Sequence, residues 1–351
     1  MTCRDGSRLH RQHGAALIVA MLVFALATTL VVAMSKEFTL LLKRGANSFA
    51  AEQAHAYLRG GEELAALILR QDMEEDQKEQ TLRDDNSELW AQQVPPYALD
   101  EGGWLVGGLE DLQGRFNINS VAGAPSAAGE AGKSVVAGKT AVEQRFTAAQ
   151  RQFIRLLQTF EEPRVSEQDA ILITEALMDW LDADGEPRDF GAEDDYYNDM
   201  SPSYRAANRA LASVSELRLV AYMTDEIYRA MVPNLTVWGD GSSINIHTAP
   251  EAVLRTINTA DDLQPLSQAE GETLVALRGE EGFENVQALL DSPTLAGRKI
   301  GADLRARLGE TSAWFLYSGE VEVADRLTRL YSVLHRENNQ IKALVRSSAG
   351  L

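Results

Sequence analysis

Apolar residues run without a break near the amino end. From Ala15 to Ser35 the chain has no charge, no Pro and no Gly, and charged residues flank this run on both sides. At about 1.5 Å of rise per residue, such a helix spans a hydrocarbon layer of about 30 Å. Beyond Ser35 the pattern becomes amphipathic. Good helix formers continue to residue 72, the first proline is Pro95, and only Gly45 and the Gly60-Gly61 pair interrupt. The pattern predicts one helix over residues 15–75, apolar first and amphipathic later.

Later elements are shorter. Residues 76–100 are acidic and irregular up to Pro95-Pro96, and Trp104–Leu109 has strand character. Residues 123–140 are rich in Gly, Ala and Ser and predict a mobile loop. Between about 144 and 230 the period is helical, with stripes at Phe153, Ile154, Leu156, Leu157, Phe160 and at Ile171, Leu172, Ala176, Leu177, Trp180. Ser166-x-x-Asp169 and Ser213-x-x-Glu216 predict capped helix starts. At the carboxyl end, residues 314–323, 327–335 and 340–346 predict three strands, with Asn338-Asn339 turning the last hairpin. A helix leading into a small antiparallel sheet split around a helical block is an α+β fold with an insertion.

A weak repeat runs inside that block. Phe116-Asn-Ile-Asn-Ser120 aligns with Ile244-Asn-Ile-His-Thr248, each ending in a hydroxyl able to cap a helix. In the second copy Thr248 is expected as N-cap, Pro250 in the first turn and Glu251 closing a capping box.

Charge narrows the function classes. The 351 residues carry a formal net charge of −19. Such a surface repels nucleic acid phosphates and favours cations or basic partners. The segment around INIHTAPEAVLRTI has the look of a helix-hairpin-helix, but its connection is acidic, it lacks a Gly-x-Gly turn, and Arg255, Arg278, Arg298 and Lys299 are scattered. A packing scaffold is expected there rather than a DNA contact. The five histidines make no local nucleophile arrangement and no phosphate-binding loop occurs, so an enzyme is not expected. The single Cys3 leaves no disulfide.

Residues 179–199, DWLDADGEPRDFGAEDDYYND, form the densest candidate site. Gly185, Pro187 and Gly191 make it a loop. Hard oxygen donors on a turn-rich loop suit Ca²⁺, whereas Zn²⁺ is disfavoured without Cys or His nearby. The ligands expected are Asp182, Asp184, Glu193 and Asp195, with Glu186 and Asp194 as further candidates, for one or two ions. The alternative is a solvated loop whose aspartates make local turns. Arg205 and Arg209 are expected to clamp the loop. Trp180, Trp238 and Trp314 are expected in the core.

The amino end admits two readings once a cleaved secretory signal is set aside for its long apolar run. One is a single membrane anchor. The other is a leader with Arg4, Arg8 and Arg11, cut between Gly14 and Ala15, ahead of an assembly helix. Removing residues 1–14 leaves a net charge of −21. In either case the leader arginines place the chain beyond Ser35 outside the inner membrane, in the periplasm.

The Gly before the apolar helix, the split sheet and the acidic insert together resemble type IV pilins and type II secretion pseudopilins, and in particular the minor pseudopilin K family. The resemblance implies a pilin-like fold interrupted by a large all-helical insertion of two SAM-like units. It implies a leader at 1–14, the helix at 15–75, a β domain at 76–115 and 312–351, and an insertion at 116–311 divided near 235/236. It implies cleavage by prepilin peptidase, N-methylation of Ala15, minor pseudopilins I and J and the major pseudopilin as partners, and Ca²⁺ in the insert. The class carries Glu as its fifth mature residue, where this chain has Val19. An unpaired acid at that depth costs about 2.5–3.5 kcal/mol. An apolar residue there implies a subunit at the tip of the pseudopilus, which helps to initiate assembly and protein export across the outer membrane. The alternative is a minor pilin of a type IV pilus or DNA-uptake system.

Overall fold

The computed structural model describes residues 13–79, 82–100, 102–123, 140–239, 241–338 and 340–350. Most of the expected leader, with Cys3, and most of the Gly/Ser-rich 123–140 segment lie outside them.

Helix α1 runs from His13 to Glu79, about 100 Å long at 1.5 Å per residue. From Ala15 to Phe49 it is exposed throughout, large apolar side chains included. Then a buried row begins: Ala50, Ala54, Leu58, Glu62, Ala65, Leu69 and Asp72. Steps of three and four keep these positions on one helix face. That face lies on a five-stranded antiparallel sheet, in the order β1 (Tyr97–Ala98), β2 (Trp104–Asp111), then the strands Trp314–Val323, Arg326–Glu337 and Gln340–Ser347. Tyr317 reaches across the helix, and its hydroxyl donates to the Leu58 carbonyl at 3.3 Å. A Cβ on Gly61 would collide with that hydroxyl. Gly61, which reads in sequence as an interruption, is the notch that lets helix and sheet close.

The chain leaves the sheet after Asp111 and returns at Trp314, where the Leu112 amide donates to the Trp314 carbonyl at 2.9 Å. Between them lie β3 (Phe116–Asn117), α2 (Ala141–Arg145), α3 (Ala148–Leu157), α4 (Glu167–Leu181), α5 (Asp194–Asn198), α6 (Asp225–Met231) and β4 (Leu235–Thr236). Next come β5 (Ile244–Asn245), α7 (Glu251–Leu254), α8 (Gln268–Arg278), α9 (Val286–Leu290), α10 (Ala302–Arg305) and β6 (Leu308–Gly309), after which the long sheet strands are β7, β8 and β9. Among the described residues the insertion is therefore helical except for two-residue pairs: β3 with β4 and β5 with β6, both parallel. Each pair ties the start of one half to its end.

The repeat is visible here. Asn117 accepts from the Asn119 amide at 2.9 Å, and Asn245 accepts from the His247 amide at 3.0 Å. Ile118 and Ile246, at matched positions, are fully buried. The asparagine, not the hydroxyl, does the shared work. Thr248 does not cap α7: its hydroxyl donates to Asp111 at 2.5 Å, and α7 starts behind Pro250 with no side-chain cap. A buried carboxylate is the stronger acceptor for that hydroxyl.

The two halves share one core, reaching from Phe116 and Phe153 to Ile257 and Leu304. Buried Arg155 on α3 crosses the seam and donates to the carbonyls of Thr256, Thr259 and Asp262. Trp180 is buried within this core, while Trp238 and Trp314 stack at 6.0 Å where insertion meets sheet. A second core, with Leu58, Leu69, Trp90, Phe315 and Val321, lies between α1 and the sheet. Asn338 takes φ 49°, as the last hairpin requires; Asn339 lies outside the described residues. The β7–β8 turn uses Ala324 and Asp325, both at positive φ, with no sequence signal for it.

Candidate functional site

Helix α4 starts at the Ser166 cap and ends at Leu181, leaving Asp182 as its C-cap in extended conformation. The chain then turns through Asp184, which accepts from the Glu186 amide at 3.0 Å. It passes so close to α4 that a Cβ on Gly191 would collide with Asp179 Oδ2. It re-enters helix at α5 behind Glu193. This course brings one carboxylate oxygen from each of Asp182, Asp184 and Glu193 within 4.8 Å of the others.

Arg188 supplies the local positive charge, pairing with Asp179 and, at 2.6 Å, with Asp182 Oδ2. The expected clamp works differently. Arg205 stands 3.8 Å from Asp194 and is largely exposed, while Arg209 pairs with Glu216 at 3.0 Å. Arg188 serves because it lies inside the loop and both its partners converge on it.

After Arg188 is spent, acceptors remain. Asp182 Oδ1 and both Glu193 oxygens are buried without a hydrogen-bond partner, and Glu193 is 5% exposed. Burial, reinforced by the charges of Asp179, Asp182, Asp184 and Asp194, pushes the Glu193 carboxyl up to about 7. Buried acceptors without donors are costly. A hard cation removes that cost. Ca²⁺ binds oxygens at about 2.3–2.6 Å, so ligands on opposite sides of it stand about 5 Å apart, which this spacing meets. The residues present thus fit the ion. Of the other expected ligands, Asp195 and Glu186 have exposed side chains outside the convergent group. Asp194 accepts from the Ala206 amide at 3.0 Å.

A second group was not legible in sequence. Asp72 on α1 and Asp84 and Glu88 on the next segment also place carboxylate oxygens within 4.8 Å of one another. Arg336 of β8 donates to both oxygens of Asp84 at 2.6 Å and to Asp72 at 3.3 Å.

The arginines of the helix-hairpin-helix-like segment point inward. Arg255 donates to Leu266 and Thr159 carbonyls, Arg278 to Ala249, and Arg298 to Asn258 and Glu270. His247 is buried, its Nδ1 accepting from the Phe283 amide at 3.1 Å.

An exposed apolar half-helix joined to a helix-on-sheet head defines a membrane-anchored protein of the pilin class. One helix among the described residues is long and apolar enough to cross a membrane. The models of type II secretion system protein K match residues 114–240 and 244–311. Type II secretion system protein K of Pseudomonas aeruginosa is 32% identical over 342 residues, covering 95% of this chain and 92% of its own length. Those of Aeromonas hydrophila and Pectobacterium carotovorum are 30% and 29% identical, each covering 97% of this chain, with 98% and 97% of their own lengths covered. A chain of the crystal structure of the GspK-GspI-GspJ complex of enterotoxigenic Escherichia coli superposes with a TM-score of 0.68 at 23% identity, over 88% of this chain and all of that one. The chain belongs to the type II secretion system protein K family, and its role is that of a minor pseudopilin in type II secretion.

Proposed function

We propose that this protein caps the tip of the pseudopilus and helps to start its assembly, as a structural subunit rather than a catalyst. The observation that carries the reading is the contrast along α1. Its apolar half is bare, and the bulky insertion joins the head beside Asp72, 37 residues past Ser35. At 1.5 Å per residue that is about 55 Å from the membrane-spanning run. A body of roughly 200 residues there obstructs a repeating shaft but not an end. Val19 is one of the bare positions, and an apolar residue needs no partner in the next subunit toward the tip.

In this reading prepilin peptidase cuts between Gly14 and Ala15, and Ala15 is methylated. The helix first sits in the inner membrane with the head in the periplasm, then packs against minor pseudopilins I and J and primes the major subunit. The solved relative in a complex with GspI and GspJ supports those partners. Asp182, Asp184 and Glu193 hold Ca²⁺, which ties the loop to the end of α4. The inward arginines weigh against the DNA-uptake reading.

Mass spectrometry of the mature protein tests the processing: a methylated Ala15 is expected, and an uncut Met1 overturns it. Coexpression of the full chain with the I and J subunits is expected to give a heterocomplex. Long filaments of this protein alone would contradict a tip position.

A further inference from the structure

The segment 82–92 links α1 to the rest of the molecule. Asp84 accepts from the Ser312 amide at 2.6 Å, and its amide donates to the Glu310 carbonyl at 2.9 Å. Asn245 of the insertion donates to the Asp84 carbonyl at 2.8 Å, and Trp90 packs edge-on to Phe315 at 5.2 Å. The segment therefore touches helix, sheet and insertion together.

Its charges do not balance. From α1 come Asp72, Asp76 and the more exposed Glu75; from the segment come Asp84, Asp85 and Glu88; from the end of β2 comes Asp111. Against them, among the described residues, stand two guanidinium groups. Arg83 is taken by Asp85 at 2.9 Å, and Arg336 by Asp84 and Asp72. Asp111 is satisfied separately by Ser312, Thr248, Asn245 and the Gln113 amide. Glu88 is left. One of its oxygens accepts from Trp90 Nε1 at 2.5 Å, and a carboxylate oxygen of Glu88 lies within 4.8 Å of one from Asp72. Two carboxyl groups hydrogen-bond each other only when one carries a proton.

The geometry points to one proton shared between Glu88 and Asp72 as the latch that holds segment 82–92 against the end of α1. Burial and then the charge of Asp84 hold Asp72 up at about 7, while burial and then the charge of Asp72 hold Glu88 at about 9. An acid raised in the folded state stabilises below its ordinary value and loses that stabilisation as pH rises through the folded one. The latch is closed at pH 6 and opens between about pH 7 and 9. Asp72 stands well beyond the membrane-spanning run, in water-facing structure.

Hydrogen exchange of the full chain in detergent micelles, corrected for the intrinsic pH dependence of exchange, reads the latch directly. Protection over 82–92 is expected to fall by about tenfold or more from pH 6 to pH 9. In Glu88→Gln the carboxamide donates to Asp72 and still accepts from Trp90, so protection should stay flat. Asp72→Asn offers the mirror arrangement and should also stay flat. Wild-type protection that does not change with pH overturns the proposal, as does an equal fall in both variants. Restoration at pH 9 by millimolar Ca²⁺ also overturns it, because a cation would then be the closing group.

Discussion

Two groups of three carboxylates each bring oxygens within 4.8 Å of one another in this molecule, and they differ in donors. Around Asp84, Arg336 offers one nitrogen to both Asp84 oxygens and the other to Asp72, Ser312 offers its amide, and Trp90 its ring N–H to the neighbouring Glu88. In the group around Glu193 the one side chain among the described residues that donates to a carboxylate is Arg188, to Asp182 Oδ2, and three oxygens, Asp182 Oδ1 and both of Glu193, are buried without partners. The first group lies at a junction of three elements, each able to contribute a donor. The second lies on one loop folded back on one helix, and the guanidinium inside that loop, Arg188, is consumed by Asp179 and Asp182. Proximity of acids alone therefore says little. Unmet acceptors mark the place where a cation improves the energy. Glu62 shows the opposite limit. Burial works to raise it, but hydrogen bonds from Arg346 and Ser332 outweigh this and hold it below its ordinary value.

The largest effect is expected from Arg336→Met. It leaves Asp84 buried and unpaired, which costs about 3–5 kcal/mol and should be read as a lowered calorimetric midpoint. The Ca²⁺ response should survive in that variant, since the two groups share no residue. Next comes Ca²⁺ itself: at a hundredfold excess over Kd it should stabilise by about 2.7 kcal/mol. Glu193→Gln should abolish that gain, and identical melting with Ca²⁺ and with chelator would remove the metal site. Glu62→Gln is expected to cost about 1–2 kcal/mol at neutral pH. Because Glu62 is held low, its stabilisation is present above the ordinary value of 4.5 and fades as pH falls through the folded one, so wild type and variant should converge in acid. The smallest effect is a control remote from both groups. Ala324→Gly relieves a φ of 51° in the β7–β8 turn and should stabilise by about 0.5–1 kcal/mol in urea melts.

Much of the architecture was legible because it rests on local pattern. The apolar run, the stripes of α3 and α4, and the alternation in β7 each arise from a period that one element imposes on its own residues. The acidic loop was legible because its carboxylates are close in sequence. Within it, the choice among acids was not. Asp195 lies beside Asp194 on α5 and faces solvent, while Glu193, just before the helix, turns inward. Thr248 read as a cap and became a donor to Asp111, a residue 137 positions away. Gly61 read as a break and became a contact surface for Tyr317.

From the order of residues alone came the anchor, the Gly before it, the absent acid at Val19, the split sheet and the paired Asn motifs. All are one-dimensional features, set by spacing and by the chemistry of single side chains. Tertiary structure settled which charges meet. Arg336 joins Asp72 from 264 positions further along the chain, with Glu88 of the next segment beside them, and the two halves of the insertion fuse through Arg155. Hydrogen-bond supply at a buried point depends on every element that reaches it, and no local period records that.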